Sequence, residues 1–400
     1  MMNKKTLIRL GVVSVVAIVA ALAIDHSRKP VSEFSAKAQP LAGDLKAQIN
    51  DVTALTISVP GQPTAVVLDR GEGGWSVADK GGYPADVGKL REFLLRVADS
   101  TLVEQKTASR ERYADLGVSD LGEADAKGIE VKIDGLPKPV DFIAGVYNTK
   151  ASGTYVRRAD EAQSWLASGN LIPDRNAKDW LQKDLANISA DRIASVTITQ
   201  PDGKTLRVSK NDPADAQYNI ADVPKGREPV SEYAANGLAS ALADLRIDDV
   251  APASKVAAPE SATRVRYATF DGITVDATTW TEADTRYVGF SASLDKDAAE
   301  KHLQVARERA AEKTKSESAA AESDEADKEA GKDADSTAPA AESVPSLTDL
   351  ESEVARLNSA FEGWSFVLPA HKTANMTKTM DEMLKPLEEK TADKGGKSGK

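Results

Sequence analysis

The chain has 400 residues and no cysteine, with 51 Lys and Arg against 62 Asp and Glu for a net charge of −11, and 41% of its residues are hydrophobic. That length suits two or three domains, and the lack of cysteine excludes disulfides, thiolate metal sites, a catalytic thiol and an acylated lipoprotein cysteine. No basic face interleaved with aromatics is visible, so nucleic acid is not an expected partner.

At the start, Lys4, Lys5 and Arg9 flank an uncharged run from Leu10 to Ile24. Residues 7–24 as a helix reach about 27 Å at about 1.5 Å per residue, just enough for a thin hydrocarbon core with Arg9 snorkelling to the interface. Residues 1–30 therefore read as a membrane anchor with a cytoplasmic N-terminus, which places the body outside the cytoplasm. Cleavage after "ALA" (21–23) or "AKA" (36–38) is the competing reading. Residues 31–50 read as a polar tether.

Next come two similar stretches, "VTALTISVPGQPTAVV" (52–67) and "IASVTITQPDGKTLRV" (193–208). An ungapped offset of 141 sets Leu55 on Val196, Ile57 on Ile198 and Val67 on Val208. Alternation around a Pro/Gly turn predicts a β-hairpin in each. At an offset of 143, Trp75 falls on Tyr218 and Val77 on Ile220. The stripe Val87, Leu90, Leu95, Ala98, Leu102 then falls on Val230, Tyr233, Leu238, Ala241, Leu245. These spacings predict a helix in each copy, opened by Pro84 and Asp86 in the first and by Pro229 and Ser231 in the second. "IEVKIDG" (129–135) parallels "VRYATFDG" (265–272), "TYVRR" (154–158) parallels "RYVGF" (286–290), and "SWLAS" (164–168) parallels "WSFVL" (364–368). The expected fold class is α+β: two tandem duplicated modules behind one transmembrane helix, the first at 51–190 and the second at 191–294 plus 346–388.

Residues 295–345 read as a helical and disordered acidic, Ala-rich insert in the second module. Residues 316–343 hold nine acidic and two basic side chains, and 311–343 contain no Ile, Leu, Val, Met or aromatic residue. Such a segment buries too little apolar surface to offset its ordering entropy and is expected to be disordered. Residues 295–310 form a helical arm before it. After it, Leu347, Leu350, Val354, Leu357 and Phe361 form a heptad seam. Residues 389–400 read as a flexible basic tail.

No catalytic, cofactor or metal residue emerges. Gly88-Lys89 falls short of a phosphate loop, which needs Gly at 83 and a hydroxyl at 90 where the chain has Tyr83 and Leu90. It reads as the turn from strand into helix. His26, His302 and His371 lack metal spacing. "SLDK" (293–296) fits Ser-x-x-Lys without the Lys-Thr-Gly that accompanies it in acyl-serine enzymes. Trp75, Trp165, Trp180, Trp280 and Trp364 suit core packing better than a sugar platform. Arg157 and Arg158 read as a solvated strand end rather than an anion site.

The segments "VLDRGEGGWSV", "GYPADVGKLREFLLRVADSTLVE", "RYADLGV" (112–118), "VKIDG", "TYVRR" and "DWLQKDLANISADRIASVTI" (179–198) resemble the bacterial envelope family known as domain of unknown function 4340. The resemblance spans nearly the whole chain apart from 295–345 and the tail, and it carries no catalytic residues. It implies an auxiliary protein encoded beside ABC exporters of the gliding-motility type. The expected role is a non-enzymatic periplasmic accessory or scaffold. The alternatives are an envelope glycan- or lipid-binding module and a hydrolase without short motifs.

Overall fold

The computed structural model describes residues 39–324 and 344–386. The anchor at 7–24, the remainder of the insert and the tail at 389–400 lie outside the described residues. Among those described, no helix is long and apolar enough to cross a membrane. The architecture is mixed α+β, dominated by large antiparallel sheets.

The first part of the chain runs β1 (Gln39–Pro40), β2 (Ala54–Val59), β3 (Gln62–Gly71), β4 (Gly74–Val77), β5 (Tyr83–Pro84), α1 (Val87–Asp99), β6 (Thr101–Gln105), α2 (Tyr113–Leu116), β7 (Ile129–Asp134), β8 (Val140–Asn148), β9 (Gly153–Arg158) and β10 (Ser164–Ser168). It continues with β11 (Asp184–Ala186), β12 (Ile193–Thr199), β13 (Thr205–Ser209), β14 (Asn219–Ile220), α3 (Asn236–Ala239), β15 (Leu245–Arg246), β16 (Asp249–Pro252), β17 (Thr263–Thr269), β18 (Ile273–Glu282) and β19 (Thr285–Leu294). The last elements are α4 (Lys296–Asp324), α5 (Leu347–Phe361), β20 (Trp364–Val367), α6 (Ala370–Met376) and α7 (Met380–Met383).

The chain forms two compact units. The first takes the described residues up to Val67 together with Gly88–Arg175, and the second takes Leu68–Val87 together with the described residues from Asn176 onward.

In the first unit the strands follow the order β1-β6-β10-β9-β8-β7-β2-β3. Alternation drives this sheet: Leu55 and Ile57 of β2, Ile129, Val131 and Ile133 of β7, and Phe142 of β8 are all buried. Helix α1 buries Leu90, Phe93, Leu94, Val97 and Ala98, a stripe at three- and four-residue steps. The stripe differs from the expected one, because Val87 is exposed and Leu95 is only half-buried. Residues 39–50, expected as a tether, are folded: β1 pairs with β6, and Leu41, Ala42 and Leu45 are buried.

In the second unit the order is β14-β13-β12-β17-β18-β19-β20-β16, with a separate β11–β15 ribbon. Residues Leu68–Gly71 of β3 pair with β4 in this unit, and β4 pairs with β5. Val196, Ile198, Tyr267 and Phe366 form its buried centre.

Two expectations are corrected. The offset of 141 holds for β2 and β12 but slips in the following strands, where Val66 and Leu68 are buried in one and Leu206 and Val208 in the other. A one-residue slip flips a strand's faces, so Val67, half-buried, does not match Val208. The second expected helix, over 229–245, shrinks to α3 and a 3-10 turn at Ser240–Leu242, leaving Val230 and Tyr233 exposed. Gly237 costs such a helix about 1 kcal/mol relative to alanine. Asn236 also turns its side chain outward, donating to the Ala216 carbonyl at 2.8 Å and accepting from the Tyr218 N–H at 3.3 Å.

The acidic insert differs from its expectation as well. Residues 311–324 continue helix α4. Ala, Glu and Lys are strong helix formers, and a helix already nucleated at a packed root propagates at little cost. The rest of 311–343 lies outside the described residues. Helix α5 covers the stretch assigned to the heptad seam, and it buries Leu350, Leu357 and Phe361.

Candidate functional site

The Gly-Lys stretch forms the strand-to-helix turn that its spacing implied. Gly88 and Lys89 lie in the first turn of α1, and the Lys89 ammonium pairs with Asp174 at 2.5 Å. Gly81 precedes β5 at φ +72°, and an added Cβ there would stand 2.4 Å from the Pro252 ring. Glycine is required by both conformation and space.

Ser293 is exposed near the end of β19, while the Lys296 ammonium pairs with Glu351 at 2.6 Å, so this Ser-x-x-Lys makes no nucleophile and base. His302 lies on α4 and His371 on α6. His26 lies outside the described residues. Among the described residues no three His, Asp or Glu side chains are placed to hold a metal ion.

Arg157 is not a solvated strand end. It is 4% exposed and rests on the Tyr113 ring, 4.8 Å from its centroid. Its guanidinium donates to the carbonyls of Val118 at 3.0 Å and Glu161 at 3.2 Å and pairs with Asp120. Arg158 donates to the carbonyls of Pro40 at 3.0 Å and Leu41 at 3.1 Å and pairs with Glu161 at 3.0 Å. Both side chains spend their donors on the first unit itself. A cavity of about 710 Å³ lies beside Arg158, with Asp141 and Lys138 in its wall. Asp141 Oδ1 is buried without a hydrogen-bond partner among the described residues. Burial pushes the Asp141 carboxyl up, Lys132 opposes the rise, and Asp134 and Asp160 add to it. Glu130 is also raised, first by burial and then by Asp141 and Asp120.

Two features stand out in the second unit. The first is the helical arm. Helix α4 is buried only at Ala299 and Leu303 among its described side chains, and residues 307–312 are exposed on every side. Helix α5, beside its root, is pinned to the sheet by Arg192. That guanidinium contacts Asp271 at 2.8 Å and Glu353 at 2.9 Å, and these two carboxylates offset its burial and hold it charged. Ser346 caps α5 in a capping box with Asp349.

The second is an opening between β19 and β20. Their register consists of Val288 opposite Phe366 alone. Further along β19, the side chain of Asn358 replaces the partner strand: it accepts from the Ala292 N–H at 2.8 Å and donates to the Ala292 carbonyl at 2.8 Å. A cavity of about 290 Å³ lies between, walled by Trp280, Phe290, Phe361 and Trp364. Trp280 is 8% exposed and stacks on Tyr287 at 6.0 Å. Trp364 packs edge-on against Tyr83 at 5.0 Å. Of the five tryptophans, two therefore meet at one cavity. Trp180 is fully buried, and Trp75 and Trp165 are half-buried on β4 and β10. Sequence pattern gave no sign of this meeting, because it depends on where two strands part company.

No curated protein and no solved structure matches the chain. The model of the family described as Domain of unknown function (DUF4340) matches residues 75–264. Its span takes in parts of both units and stops short of the arm and the aromatic cavity's β19–β20 walls. Residues 75–264 are thus similar to the DUF4340 family, the one that the strand and turn motifs resemble.

Proposed function

We propose that this protein is a non-enzymatic accessory or scaffold of an envelope ABC transport complex. In this reading residues 7–24 hold it in the bacterial inner membrane, with the body in the periplasm and the arm presented to permease or auxiliary subunits. The observation that carries the reading is helix α4, which is buried at Ala299 and Leu303 and exposed on every side over residues 307–312. A helix that is polar on every face adds little to its own fold and suits a contact with another molecule. The firm root formed by Arg192, Asp271 and Glu353 supports the same use.

The proposal includes a duplication. The first unit's order β6-β10-β9-β8-β7-β2-β3 has its counterpart in β16-β20-β19-β18-β17-β12-β13, strand for strand in chain succession. The three parallels seen beyond the hairpins fall on corresponding strands: β7 with β17, β9 with β19, and β10 with β20. An experimental structure in which Trp75 and Tyr218 occupy unrelated places would refute the duplication.

The test of function is mild crosslinking in intact membranes, followed by identification of the partners. Recovery of transporter subunits with the full chain, lost on removal of 305–343, is expected. Recovery of the same subunits without the arm would overturn the role given to α4.

A further inference from the structure

We propose that Asn236, on α3, is a self-modification site: a deamidation latch that records the opening of this corner of the second unit. The inference goes beyond the scaffold reading and does not depend on it. Asn236 is the chain's only asparagine followed by a glycine. Asparagine deamidates when the backbone nitrogen of the next residue attacks the side-chain Cγ, and glycine leaves that nitrogen uncrowded. The new N–Cγ bond closes a succinimide ring, and the side-chain nitrogen leaves as ammonia. Water, the sole co-reactant, then opens the ring at either carbonyl. The products are aspartate and isoaspartate, in which the main chain runs through the former side-chain carbon.

The fold holds this reaction off in two ways. The side-chain amide is tied at both ends to another segment: Nδ2 donates to the Ala216 carbonyl at 2.8 Å, and Oδ1 accepts from the Tyr218 N–H at 3.3 Å. Tyr218 is buried, with its hydroxyl 2.6 Å from the carbonyls of both Ala190 and Ile193, so the clamp is itself fixed. The backbone is helical as well, since the Ser240 N–H donates to the Asn236 carbonyl. A helical ψ of about −42° keeps the Gly237 nitrogen out of line with Cγ, so ring closure requires α3 to unwind.

Nothing around Gly237 asks for a glycine. Its φ is not left-handed, and an added Cβ would meet only the Asn375 side chain, at an ordinary 3.7 Å. Glycine here weakens the helix relative to alanine and gains neither space nor a turn. The residue that lets α3 open is therefore the one that makes Asn236 reactive. The change is also one-way. Aspartate at 236 has no donor for the Ala216 carbonyl, and isoaspartate lengthens the main chain at the root of a turn whose Leu238 and Ala239 are buried.

The experiment incubates the full chain in detergent micelles under mildly alkaline conditions and follows every asparagine by peptide mapping, which separates asparagine, aspartate and isoaspartate. Asn236 should lead all other asparagines, and it should react about tenfold or more slowly in the folded chain than in urea, because only the opened fraction reacts. Tyr218→Phe loosens the clamp without touching the reacting pair, so it should speed the folded chain's reaction about threefold and leave the rate in urea unchanged. Gly237→Ala should slow the reaction in both states while keeping or raising the midpoint of unfolding. Asn236→Asp, which carries the product's charge from the start, should lower that midpoint by several degrees. Equal rates in the folded and unfolded chain would overturn the proposal. So would another asparagine leading in the folded chain, an unchanged folded rate in Tyr218→Phe, or an unchanged midpoint in Asn236→Asp.

Discussion

Replacing Arg157 with alanine separates two readings of the same residue. A solvated strand-end arginine would cost within about 0.5 kcal/mol when removed. In the structure the side chain is buried, and its loss strands the carbonyls of Val118 and Glu161. Each buried group left unpaired costs about 1–3 kcal/mol. The contact with the Tyr113 ring adds about 0.5–2 kcal/mol. The broken pair with Asp120 adds little, because that carboxylate is 47% exposed and rehydrates. The Val118 carbonyl is the better enclosed of the two, and water reaches Glu161, so the net is about 2–4 kcal/mol. For a unit of this size about 1 kcal/mol moves the midpoint by about 2–4 °C, which gives a fall of roughly 5–15 °C. Differential scanning calorimetry of the purified full-length protein resolves it as a shift of the first unit's transition, with the second unit's unchanged. Arg157→Lys should fall between, since an ammonium cannot reach three acceptors in a fixed fork. A shift below about 2 °C in Arg157→Ala would refute the reasoning.

The carboxyl of Glu130 is raised in the folded protein, so its contribution to stability is full below the ordinary Glu value of 4.5 and is lost as pH climbs through the folded value. Glu130→Gln should therefore unfold at a higher temperature than the parent at pH 7, and the gap should close near pH 4; a constant gap would contradict this. Gly81→Ala should lower the second unit's midpoint by several degrees, since φ +72° and the 2.4 Å approach to Pro252 both oppose a side chain. Replacing 311–343 by a short Gly/Ser linker should leave both midpoints within about 2 °C while reducing helical circular dichroism by the share of residues 311–324. A larger fall in midpoint would show that the arm packs on the body.

What the sequence revealed was local. Period-2 alternation marked β2, β7, β12 and β17, and the seam from Leu347 to Phe361 marked α5 to the residue, because these signals sit in neighbouring side chains. The burial of Arg157 was not legible, since Val118, Asp120 and Tyr113 reach it only through the fold. The cavity was hidden for a similar reason. Trp280 and Phe290 are separated from Phe361 and Trp364 by the whole arm, and the bonds between Asn358 and Ala292 beyond the end of β20 have no pattern in one dimension. The expected helix at 229–245 failed because its apolar spacing was right while Gly237 and the outward bonds of Asn236 were left out of account.

The division of the chain has a consequence for how the molecule is made. The second unit begins with Leu68–Val87, is interrupted by Gly88–Arg175, and is completed only from Asn176 onward. Tyr83 is among the first of its residues to be synthesised, yet the rings it packs against, Trp364 and Phe366, arrive near the end. Vectorial synthesis can finish the first unit while β4 and β5 wait for their partners, so the second unit closes late and over long sequence separation. A cut at residue 190 keeps the first unit whole and breaks the second: the C-terminal fragment lacks Tyr83, which stays with β4 and β5 on the N-terminal one. Mixing the two fragments should restore what the C-terminal one lacks.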